Sequence, residues 1–313
     1  MTDALERQAR VTISRGSKSF AVASRVFDAR TRRGATLLYT WCRHCDDVVD
    51  GQVLGHRDVP ASASDTGAAL AELRRCTALA YQQPLLQDPP FAALQEVVRT
   101  FAIPARHAQA HLDGFAMDVA GREYRTFDDT LEYCYHVAGV VGIMMCHIMG
   151  PTEPAVLDRA ADLGLAFQLS NIARDVVEDA QAGRCYLPVD WLEQAGLNPR
   201  NHADQAHRQA LAGVVARLLE SAETYYASAL KGLPALPARS AWAVATAHGI
   251  YREIGLHVRA LGPAAWDHRV STSTSDKLRL LLRGAYQARA SRGDGVAAAQ
   301  GRPATLWQRP GRA

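Results

Sequence analysis

Carboxylates spaced four apart are the residues of this sequence best placed to do chemistry. Asp46 and Asp50 stand in the stretch WCRHCDDVVDG, Trp41 to Gly51, with Asp47 between them. On a helix, positions i and i+4 lie one turn apart on one face, and two like charges there repel by about 0.2–0.5 kcal/mol unless a cation joins them. Asp175 and Asp179 repeat the pair, with Glu178 adjacent. Asn171 and Gln168 continue the polar stripe one and two turns upstream, through a helix that is otherwise apolar. Polar side chains on an apolar face are costly without partners. Two such stripes in one chain point to facing helices that share a cation site. Oxygen donors without histidine, too few to complete a coordination sphere, suit Mg²⁺ or Mn²⁺, which keep waters and bind substrate phosphate. An ion held there would act as a Lewis acid toward a departing diphosphate.

The cysteines beside the first pair offer a competing metal reading. Cys42 and Cys45 form a Cys-x-x-Cys around His44, but Cys76, Cys134, Cys146 and Cys185 stand singly, so no second pair completes a zinc site. A redox Cys-x-x-Cys opens a helix after a strand, and no strand precedes this one. The cysteines read as small packing residues, and six of them scattered over 313 residues fit a reducing compartment rather than a disulfide framework.

The elements that position these residues are helices. The chain is rich in Ala, Leu, Arg and Glu, with long segments of period 3.6 and almost no alternating β-branched runs. The pattern predicts an all-α, single-domain fold, with helices over roughly 31–50, 65–82, 90–101, 104–119, 128–149, 153–180, 203–231, 237–260 and 274–289. Prolines fall between these segments, where helix breakers belong. Residues 52–64 have loop composition. The domain is expected to span 1–287, and the Gly/Pro/Arg-rich residues 288–313 are expected to form a disordered tail. Glycines within YCYHVAGVVG, Tyr133 to Gly142, cost up to about 1 kcal/mol each in a helix. They make sense where a long hydrocarbon passes close to the backbone, or where a neighbouring helix crosses closely.

A net charge of +3 gives no argument for nucleic acid, and only three of the 35 basic residues are lysine (Lys18, Lys231 and Lys277). That chain-wide bias means an arginine needs a motif around it to count. The start, MTDALERQAR, lacks the apolar core of a signal peptide. The longest apolar stretch, Val137 to Gly150, is 14 residues long and falls short of the ~20 needed to span a bilayer. A cytoplasmic protein is expected.

Taken together, these motifs resemble the squalene/phytoene synthase family of head-to-head prenyltransferases. DDVVD resembles the family's first aspartate motif, YCYHVAGVVG its tyrosine-glycine signature, and GLAFQLSNIARDVVEDAQAGRCYLP its second aspartate motif with the flap that follows. GSKSFAVAS, RSAWAVATAHGIYREIG and LWQRP extend the likeness over nearly the whole chain, toward the bacterial phytoene-forming branch. The resemblance implies an isoprenoid-synthase helical bundle around a deep central cavity, with the two acid clusters facing each other at its mouth. It implies that two geranylgeranyl diphosphates are condensed through prephytoene diphosphate to phytoene, without NADPH. Farnesyl diphosphate, giving dehydrosqualene or squalene, is the nearest alternative substrate, and a non-catalytic helical assembly protein is a more remote one.

The resemblance also distributes roles. Asp46, Asp50, Asp175 and Asp179 would hold Mg²⁺ or Mn²⁺ bridged to the substrate diphosphate, with Asp47 and Glu178 as second choices. Arg43 and Arg174 would contact diphosphate. Ser17, Ser19 and Phe20 match a substrate-touching segment, and Val137 and Gly142 belong to the signature beside the hydrocarbon. Tyr39, Tyr133 and Tyr251 match tyrosines near the reacting carbons. Gln168 and Asn171 would orient diphosphate or metal-bound water, and Arg184 and Tyr186 belong to the flap. Greasy substrate and product make peripheral association with the inner face of the membrane, and contact with neighbouring carotenoid-pathway enzymes, further expectations.

Overall fold

The computed structural model describes residues 18–50, 52–53, 56–57, 63–82, 84–293 and 301–311. Helix α1 (Lys18–Ser24) leads into α2 (Ala29–Asp50), which carries the first acid cluster at its C-terminal end. A two-residue antiparallel ladder of β1 (Gln52–Val53) with β2 (His56–Arg57) interrupts the stretch expected to be loop. Helices α3 (Ala63–Leu79), α4 (Pro89–Phe101) and α5 (Ala105–Val119) follow. Next come α6 (Phe127–Cys134), a π-helical turn (Tyr135–Gly139) and α7 (Val140–Met149), then the long α8 (Pro154–Gln181) with the second cluster. Helices α9 (Val189–Gln194), α10 (Arg208–Leu230), α11 (Ala238–Leu261) and α12 (Thr274–Ala290) complete the bundle.

Local chemistry accounts for the boundaries. Prolines open α4 and α8, where a missing N–H costs nothing. Reciprocal capping boxes, Thr126 with Asp129 and Ser273 with Asp276, start α6 and α12. The segment Phe127–Met149 is long and apolar enough to cross a membrane, yet it is a core helix here: Val140, Ile143 and Met144 are fully buried. The core lies in two connected parts. One gathers around α2, α3, α4 and α5, and the other around α6 to α8, α10 and α11, with Met145 packed against both.

The glycines of the tyrosine-glycine stretch decide between the two explanations open from sequence. A Cβ at Gly142 would strike the Ala160 carbonyl oxygen, and one at Gly164 would strike that of Ala138. A Cβ at Gly139 would come within 2.8 Å of Leu165. Close crossing of α7 and its π-helical turn over α8 therefore requires these glycines, and Gly142 also lines the cavity described below.

Residues 301–311 differ from the expected disordered tail. Leu306 is buried, Arg302 grips Asp162 with Nε at 2.9 Å and Nη2 at 2.7 Å, and Arg309 Nε reaches Asp158 at 2.7 Å. The Trp307 backbone N–H donates to the Tyr225 hydroxyl at 3.3 Å. Composition suggested disorder because it counts residues and not partners: Asp162 and Asp158 lie some 140 and 150 positions upstream.

Candidate active site

A cavity of about 970 Å³ runs alongside α8. The period of that helix turns Asp179, Asp175, Asn171 and Gln168 toward it at one end, and Phe167, Leu163 and Ala160 toward it farther along. Across from them α2 presents Tyr39, Cys42, Arg43 and Asp46. Asp46 of the first cluster and Asp175 and Asp179 of the second thus open on one polar end of a cavity whose remainder is largely apolar.

The charges at that end compensate one another. Arg43 pairs with Asp46 at 2.9 Å and with Asp47 at 2.6 Å. Arg174 pairs with Asp175 through Nε at 2.8 Å and Nη2 at 2.5 Å. Arg269 reaches Asp175 at 3.2 Å and Glu178 at 2.6 Å. Burial, and next the charge of Asp175, push the Asp179 carboxyl up to about 8. A desolvated carboxylate beside another is a place where a cation would be strongly favoured. The Nε of Arg43 is buried and meets no hydrogen-bond partner among the described residues. Among those residues no three His, Cys, Asp or Glu side chains form a ready-made cage. Hard oxygen donors on two facing helices with donors to spare fit a divalent ion that takes its remaining ligands from phosphate and water.

Stacked aromatic pairs line the next layer. Phe20 lies on Tyr39 at 5.3 Å between ring centroids, and Phe167 on Tyr251 at 4.2 Å. Tyr133 stacks on Tyr186 at 4.5 Å, and their hydroxyls donate to the two oxygens of one carboxylate, Asp118, at 3.2 and 2.9 Å. Burial, and next the Asp118 charge, raise both phenols well above their ordinary range, so they stay protonated at neutral pH.

Most residues singled out from sequence meet in this cavity: Phe20, Tyr39, Arg43, Asp46, Tyr133, Val137, Gly142, Gln168, Asn171, Arg174, Asp175, Asp179, Arg184, Tyr186 and Tyr251 all line it. Asp47 and Glu178 do not; they face Arg43 and Arg269 instead. Ser17 lies outside the described residues, as do the side chains of Ser19 and Asp50, whose backbones lie in α1 and α2. Cys45 is buried and Cys42 half-buried at the cavity wall, and burial holds both thiols above their usual range. Sequence reasoning missed Asp118, Arg269 and Lys277, which also line the cavity. No motif surrounds them, and only the packing of α5, of the connection 267–273 and of α12 against the site brings them in.

Comparison with known proteins agrees with this geometry. The family described as squalene/phytoene synthase matches residues 13–276. The chain is 54% identical to a 15-cis-phytoene synthase of Pantoea ananas over 299 residues, which cover 96% of each chain. It is 53% identical to a phytoene synthase of Pseudescherichia vulneris, again over 96% of both. Among solved structures, a ligand-bound dehydrosqualene synthase superposes with a TM-score of 0.82 at 27% identity, covering 92% of this chain and 98% of that one.

Proposed function

The chain belongs to the squalene/phytoene synthase family of prenyltransferases, and on that premise we propose phytoene synthesis as its activity. Two geranylgeranyl diphosphates are joined head to head to prephytoene diphosphate, which is rearranged to phytoene with release of both diphosphates, at the entry to carotenoid biosynthesis. The observation that carries this reading is the meeting of Asp46 with Asp175 and Asp179 at the polar end of one long, largely apolar cavity.

The family works on prenyl diphosphates with a divalent metal. Asp46, Asp50, Asp175 and Asp179 would hold Mg²⁺ or Mn²⁺, which when bound offsets the charge of the leaving diphosphate. The chain's own groups do the rest. Arg43, Arg174 and Arg269 release their carboxylates to grip phosphate oxygens, joined by Arg184 and Lys277, while Gln168 and Asn171 orient the diphosphate. Ionisation leaves an allylic cation, which the double bond of the second substrate attacks. The faces of Tyr39, Phe20, Tyr251 and Phe167 stabilise that positive charge. Proton loss closes the cyclopropane. We assign the acceptor as the Tyr133 oxygen, which passes its own proton to Asp118 as it takes one from carbon. The apolar walls and the Arg184–Tyr186 flap keep out water, whose capture of the cation would give an alcohol. Opening of the ring in a second ionisation ends in another proton loss and needs no NADPH.

The direct test supplies purified protein with geranylgeranyl or farnesyl diphosphate and Mg²⁺ or Mn²⁺, without NADPH. A C40 hydrocarbon from the C20 substrate is the expected product. Only a C30 product, or no hydrocarbon from either, would overturn the reading.

We further propose a cytoplasmic protein that rests peripherally on the inner face of the membrane through α12. Leu278, Leu282 and Tyr286 are 60, 65 and 74% exposed and form one i, i+4, i+8 ridge. Arg279 and Arg283 are exposed beside it, and Thr274 and Lys277 at the start of the same helix line the cavity. Phytoene leaving there would enter lipid, within reach of neighbouring carotenoid-pathway enzymes.

A further inference from the structure

Helix α8 forms a wall of the cavity from Asp179 back to Val156. Arg159 lies about 16 residues before Asp175 on this unbroken helix, or roughly 24 Å away at 1.5 Å per residue. The cavity end around it is apolar, with Val156, Ala160, Leu233 and Leu236. Arg159 lines this end too, and it is only 7% exposed. A guanidinium against hydrocarbon is costly unless something holds it.

Its surroundings do hold it. The Arg159 Nη1 donates to Ser228 Oγ at 2.6 Å, and that hydroxyl donates to Asp162 Oδ2. Asp162 is gripped in turn by Arg302 from the C-terminal segment, an ion pair with side chains 8 and 1% exposed. The stem of Arg159 is fixed as well, because Gly232 packs so closely that a Cβ there would come within 2.8 Å of the Arg159 Cβ. Both ends of the side chain are pinned, and a residue fixed in this way sets a sharp limit to the space in front of it.

We propose that Arg159 determines the length of prenyl chain the cavity accepts, closing the end remote from the diphosphate site against chains longer than twenty carbons. The inference rests on the phytoene-synthase reading and assigns the limit to a residue that neither motif contains. Segment 301–311 supports this wall from behind, through Arg302, Asp162 and Ser228 in sequence.

The test compares native protein with Arg159→Leu on C20 and C25 prenyl diphosphates with Mg²⁺. Arg302 meets both Asp162 oxygens independently of Arg159, so in the variant that buried carboxylate keeps its partner. The ratio of kcat/KM for C25 over C20 is expected to rise on the order of tenfold or more, mostly through a lower KM for C25. A hydrocarbon longer than C40 is expected to accompany it. A folded Arg159→Leu protein with an unchanged ratio would overturn the proposal. Should that variant not fold, Ser228→Ala leaves every charge in place and is expected to shift the ratio the same way by a smaller factor; no shift there would equally overturn it. Native protein that yields no C40 hydrocarbon from the C20 substrate counts against the functional reading, whereas normal C40 synthesis with an unmoved ratio counts against Arg159 alone.

Discussion

Asp118 shows how much can depend on one carboxylate that no motif marks. Each of its oxygens accepts one phenol, Tyr133 on one side and Tyr186 on the other. A carboxylate so bonded fixes both rings and strengthens the phenol oxygens as proton acceptors. Asp118→Asn keeps the shape and removes the charge. Steady-state kinetics with geranylgeranyl diphosphate should then show kcat reduced by about 10²–10⁴, the range of general acid–base contributions, with KM changed little. A kcat within a few-fold of native would mean that the tyrosines act without Asp118, and a loss confined to KM would make it a binding residue. Asp46 and Asp175 were legible in the sequence because an i, i+4 acid pair is visible in one window. Asp118 was not, because its partners lie 15 and 68 residues further along.

Helices were the most legible level. Periodicity and proline placement located the long helices to within a few residues, since each buries one face and is bounded by a breaker. The short helices Lys18–Ser24 and Val189–Gln194 escaped, being too brief for a period of 3.6 to register. The outward ridge of α12 was also invisible: its apolar positions are compatible with an inward face, and only packing shows that Leu278, Leu282 and Tyr286 point outward. Ridges of this kind beside arginines bind anionic lipid surfaces by burial plus charge. Native protein should co-sediment with phosphatidylglycerol-containing vesicles and release at high salt. Replacing all three residues by serine should abolish co-sedimentation while leaving turnover of detergent-dispersed substrate intact. Equal sedimentation of the variant would move the contact surface elsewhere, and concentration-dependent dimerisation lost in the variant would make the ridge a contact between copies.

The molecule as a whole is assembled around buried groups that sequence alone leaves unpaired. Burial pushes His111 and His248 down to about 4 from the ordinary 6.5. Between those values the unfolded chain binds protons that the folded chain refuses, so stability rises with pH across that window. The contribution is therefore complete above pH 6.5 and lost as pH falls toward 4, with an upper bound of about 3 kcal/mol for each histidine. Urea unfolding midpoints measured from pH 7.5 to 4.5 should fall accordingly, and His248→Gln should flatten the decline; an identical slope in the variant would rule out His248 as a contributor. The C-terminal segment belongs to this same buried set, and it carries a consequence for how the protein is made. Asp162 leaves the ribosome 140 residues before Arg302, an interval of roughly 7–28 s at 5–20 residues per second. Through that interval the nascent bundle has α8 but not the Arg302 cation that grips its buried carboxylate, so the far wall of the cavity waits on residues synthesised 140 positions after it.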